Sequence, residues 1–114
     1  MPQTEKNIST DIKKEIENRV DSFNKKHLKG AGCEYYVQIR NKFIYVMRKY
    51  EKYDIKDNVC RLTYNGNLEK MNFAIFRYST ETYDAGEIFF DGAKWVDGTI
   101  EGAMKAGLKA YPIY

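Results

Sequence analysis

Apolar residues in this chain keep two rhythms. Ile12, Ile16, Val20 and Phe23 recur every three or four positions, with Lys13, Lys14, Glu17, Arg19 and Lys25 largely off their line. That is one stripe of an amphipathic helix. Ser9 or Thr10 can cap its start, Asp11 suits its first turn, and Gly30 is a natural stop. Glu15 and Arg19 form a favourable pair one turn apart. From Glu34 the rhythm changes. EYYVQIR-NK-FIYVMRK is rich in Val, Ile, Tyr and Phe and alternates, which predicts a β-hairpin turning at Asn41-Lys42. If Arg40 lies opposite Phe43, then Ile39 faces Ile44, Val37 faces Val46 and Tyr35 faces Arg48. One face then carries Tyr35, Val37, Ile39, Ile44 and Val46, a core surface. The other carries Tyr36, Gln38, Arg40, Phe43, Tyr45, Met47 and Lys49, aromatic and basic side chains interleaved.

Glu51–Asn58 reads as a polar connection, and Val59–Tyr64 as a third strand. Asn65-Gly66 signals a turn, but a two-residue turn would set Leu62 opposite Glu69. A loop from Asn65 to Lys70 pairs Leu62 with Phe73 and Cys60 with Ile75, and the apolar match selects it. The fourth strand is then Met71–Tyr78. Ser79–Gly86 reads as a loop and Glu87–Phe90 as a short fifth strand. Thr99 caps a second helix striped by Ile100, Met104, Leu108 and Tyr111, with Pro112 at its end. Gly102 and Gly107 each cost that helix on the order of 1 kcal/mol of propensity, which close packing against the sheet or first helix can offset. The predicted architecture is α+β: a two-layer sandwich of order α-β-β-β-β-β-α, an antiparallel five-stranded sheet with both helices on one face.

The 114 residues make one domain, with residues 1–8 a frayed polar lead-in. Net charge is +3, too small to announce a nucleic-acid binder, but it is unevenly spread. Residues 1–56 hold 13 Lys/Arg against 8 Asp/Glu, and residues 57–114 hold 6 against 8. Cys33 and Cys60 are too few and too far apart for a disulfide framework, which predicts reduced thiols in a cytoplasmic protein. No signal peptide or membrane span is legible.

The run CRLTYNGNLEKMNFAIFRYSTETYDAGEIFFDGAKWVDGTIEGAMKAGLKAYP resembles a set of small hypothetical proteins from bacterial and archaeal genomes. The CRLTY block and the DGTIEGAMKAGLKAYP tail carry the likeness. It implies a prokaryotic cytosolic origin and transfers no functional residue.

Candidate chemistry is sparse. His27 is the single imidazole, in a Lys-rich helix end, so no zinc site or nucleophile–base pair is expected. Asp84, Glu87, Asp91 and Asp97 match no calcium loop. Walker and dinucleotide motifs are missing, and no cofactor or catalytic residue is assigned. Cys60 is expected to be an inert core thiol.

Three binding readings remain. The aromatic-basic face can pair with another protein, first of all its own copy across a twofold axis. It can instead bind RNA or another single-stranded nucleic acid, with Tyr36, Phe43 and Tyr45 stacking bases and Arg40, Lys42 and Lys49 meeting phosphates. The element order is also similar to that of the double-stranded-RNA-binding domain, but the second helix offers only Lys105 near its start. A small-molecule pocket lined by Tyr64, Phe73 and Trp95 is the third. The expectation from sequence is a cytosolic, self-associating interaction domain with no enzymatic activity, nucleic-acid binding being the alternative.

Overall fold

A computed structural model describes residues 8–86 and 90–113. The chain runs α1 (Thr10–His27), β1 (Cys33–Arg40), β2 (Phe43–Tyr50), β3 (Lys56–Thr63), β4 (Asn72–Arg77), β5 (Thr82–Asp84), a 3-10 turn at Ala93–Trp95, and α2 (Ile100–Ala110). The five strands form one antiparallel sheet in sequence order, so β1 and β5 are its edges. Both helices lie on one face, giving the expected two-layer α+β sandwich.

Ser9 caps α1 by accepting from the Ile12 amide at 3.2 Å. Ile16, Val20 and Phe23 are buried against the sheet. Ile8, grouped with the lead-in by sequence, is buried too, and its amide donates to the Asn41 carbonyl at 3.1 Å. The hairpin pairs in the expected register, from Arg40 opposite Phe43 to Tyr35 opposite Arg48. Asn41 at its tip has a φ of 55, a left-handed conformation that Asn tolerates better than most residues. The longer-loop register also holds: Leu62 faces Phe73 and Cys60 faces Ile75. Asn65 staples that loop by donating to the Lys70 carbonyl at 2.7 Å. Arg19 ties α1 to the same loop through Glu69 at 3.0 Å and to α2 through Glu101 at 3.7 Å.

Three features depart from the alternating pattern. β3 begins at Lys56, inside the stretch read as a connection. Between β2 and β3 the register shifts: Val46 pairs with Cys60 and Met47 with Asn58, leaving Val59 as a bulge. A β-strand occupies Thr82–Asp84, within the stretch read as a loop. The strand expected at Glu87–Phe90 falls largely on residues 87–89, outside the described residues. Phe90 is described, and its ring stacks on Phe73 at 5.8 Å.

One side-chain clasp and one close backbone approach join the layers. The Asn24 amide bonds both backbone groups of Tyr35 at 2.9 Å, along the free edge of β1. Thr99 caps α2, and Gly107 on that helix lies so near the sheet that an added Cβ would stand 2.5 Å from Val59 and 2.7 Å from the Tyr35 hydroxyl.

Candidate functional site

The sheet has one covered and one open face. Tyr35, Ile44, Val46, Cys60 and Leu62 point to the helices, each no more than 1% exposed. Arg48 points the same way and is 0% exposed. It donates to the hydroxyls of Tyr50 at 3.1 Å and Tyr35 at 3.3 Å, and to the Tyr111 carbonyl. The Tyr35 hydroxyl in turn donates a hydrogen bond to the Met104 carbonyl at 2.8 Å, so Arg48 joins the sheet to α2. Burial works against the guanidinium charge, but the Tyr35 and Tyr50 hydroxyls outweigh it and the pKa of Arg48 is raised. Burial acts the other way on Tyr35 and raises its pKa. Both cysteines are free and buried, and desolvation pushes each thiol pKa up, so neither is an activated nucleophile.

Alternation puts Tyr36, Gln38, Arg40, Phe43, Tyr45, Met47 and Lys49 on the face away from the helices, together with Arg61 and Tyr83. Their rings are in contact. Phe43 and Tyr45 are 6.3 Å apart, Tyr45 and Tyr83 5.5 Å, and Tyr83 and Phe76 5.0 Å. The Arg61 guanidinium sits over Phe43 at 4.9 Å and Tyr83 at 5.3 Å. Its Nε is buried with no hydrogen-bond partner among the described residues. Burial raises the pKa of Tyr83, keeping its hydroxyl a donor across the physiological range.

The expected residues divide into two groups, with Phe43 beside Tyr45 and under Arg61. Gln38, Arg40, Tyr45 and Met47 line a depression of about 190 Å³ with Asn58 and Tyr83. Tyr36 and Lys49 sit apart: Lys49 pairs with Glu34 at 3.2 Å and covers the Tyr36 ring at 5.6 Å. Lys49 is therefore partly neutralised, whereas Arg40 and Lys56 are exposed. Sequence reading missed Arg61, Asn58 and Tyr83. Arg61 was legible, since placing Leu62 inward sends Arg61 outward. Tyr83 was hidden in an assumed loop. Asn58 had no sequence signal, because only the Val59 bulge turns it outward.

The other candidates disperse. His27 packs on Phe23 at 4.5 Å. Asp97 accepts from Thr99, and Asp84 pairs with Arg77 at 3.8 Å. No cluster of three His, Cys, Asp or Glu suited to a metal occurs among the described residues. Tyr64, Phe73 and Trp95 do not share a pocket: Trp95 is exposed between Lys94 and Lys105, and Phe73 lines a separate cleft with Met71, Phe90 and Val96. No described helix is long and apolar enough to cross a membrane.

Compared with family models, curated proteins and solved structures, the chain finds no match in any of the three.

Proposed function

We propose that the open sheet face binds single-stranded nucleic acid. One observation carries the reading: an arginine with an unsatisfied Nε, Arg61, is held between aromatic rings on a face where cations far outnumber carboxylates. Arg40, Lys49, Lys56 and Arg61 lie on that face and Lys42 at its rim, against Glu34. Rings supply stacking platforms tolerant of sequence, and cations neutralise the backbone. Both helices are on the far side, so a strand could lie across the sheet without displacing structure. The reading agrees with a cytosolic setting, where buried thiols stay reduced.

Self-association through the same face is the weaker reading. A twofold axis would set these cations against their own copies, and like charges facing each other oppose docking.

The test is fluorescence anisotropy with a mixed-sequence strand, between about 50 mM and about 200 mM salt, where phosphate contacts make affinity fall steeply. Arg40→Glu with Lys56→Glu should weaken binding at low salt and reduce the logarithmic salt slope by about two. Affinity indifferent to salt and to both substitutions would overturn the proposal. Light scattering run alongside would favour self-association if the bare protein formed dimers at low salt.

A further inference from the structure

The depression on the open face is built differently from the aromatic surface around it. Its walls include two carboxamides, Gln38 and Asn58, together with Tyr45, Tyr83, Met47 and Arg40. Gln38 is exposed on β1, the edge strand. Asn58 reaches the same face only through the β3 bulge. Cys60 points inward opposite Val46, and simple alternation would send Asn58 inward as well. The extra residue, Val59, is fully buried and packs toward Gly107 of α2, so Val59 and Cys60 share the inner face. Asn58 is thereby re-aimed outward beside Met47. Bulges commonly re-aim side chains in this way next to functional sites.

A carboxamide offers a donor and an acceptor side by side, and neither amide has a hydrogen-bond partner of its own among the described residues. Tyr45 and Tyr83 stand 5.5 Å apart at the edge of the same depression. Paired donor–acceptor groups beside aromatic rings suit the edge and face of one base. Arg40, at the rim, is placed for the adjoining phosphate.

We propose that this depression holds a single nucleobase of the bound strand and reads its edge, with adenine preferred. The proposal rests on the strand-binding reading above. Asn and Gln match the amino group and N7 of adenine bidentately, whereas uracil and cytosine have no N7. The open aromatic surface then contributes affinity and the depression contributes selectivity.

RNA oligomers of about eight nucleotides, long enough to cover one sheet face, are titrated as oligo(A), oligo(U) and oligo(C) at one fixed salt concentration. Oligo(A) should bind on the order of tenfold more tightly than the other two. In Gln38→Ala with Asn58→Ala the ratio of affinities should fall to about one. Because Gln38 is exposed, Gln38→Ala alone serves as a variant that keeps the fold, checked by circular dichroism, and should lose part of the preference. Equal binding of all three oligomers by the native protein would overturn the base pocket and leave strand binding standing. So would a preference that survives the double substitution. No binding of any oligomer would overturn both.

Discussion

Arg48 shows how much one residue can organise. It is the largest fully buried side chain among the described residues, and its three hydrogen-bond partners are neutral oxygens on β1, β2 and the segment after α2. A buried guanidinium is tolerated when its fork of donors is met by acceptors, and costly when it is not. Truncation to Ala would open a cavity and remove the charged donor that the Tyr111 carbonyl accepts from. Arg48→Ala should therefore lower unfolding free energy by about 3 kcal/mol in urea titration. Arg48→Lys should restore little, since an ammonium cannot span three acceptors in separate directions. A loss below about 1 kcal/mol would show that the hydroxyl network is not structural. The predicted pairing set Arg48 opposite Tyr35 without counting it in the core surface. Its role stayed illegible because an arginine in a strand is ordinarily taken as solvated, and its partners come from distant parts of the chain.

At the scale of elements, legibility followed local rules. The hairpin, both helix caps and the Asn65–Lys70 loop were readable, because turn chemistry and apolar matching act between near neighbours. The bulge at Val59 and the strand at Thr82–Asp84 were not. Each depends on what the sheet already offers: β4 presents an edge for three residues of no special β pattern, and α2 needs an apolar contact at Gly107. For the same reason Asn58 and Tyr83 went unrecognised on the open face, where alternation alone sets the seven hairpin residues. α2 gives the sharpest test of packing against propensity. Alanine in place of glycine normally favours a helix by about 1 kcal/mol. Here the methyl would meet Val59 and Tyr35, both locked in the core, and overpacking of this kind costs about 1–3 kcal/mol. Gly107→Ala should lower the melting temperature, and a rise would mean that α2 has room to move away from the sheet.

The whole molecule divides its work between two faces of one sheet. The main core, from the α1 stripe to Arg48 and Gly107, lies on the helical side, so exposed positions of the opposite side, such as Gln38 and Arg40, can vary in charge and shape without disturbing it. A two-layer design of this kind leaves two strand edges open, and open edges invite unwanted pairing between chains. β5 is only three residues long, which limits that hazard on one side. On the other, the Asn24 clasp occupies the amide and carbonyl of Tyr35, standing where an incoming chain would place its own backbone. Asn24→Ala should cost about 1–2 kcal/mol for two lost hydrogen bonds, and should shorten the lag before thioflavin-positive fibrils form in agitated solution. An unchanged lag would mean that the edge is guarded elsewhere. A shortened lag would mean that a helix asparagine which holds the layers together also guards against polymerisation, so that a single amide limits how chains add to one another.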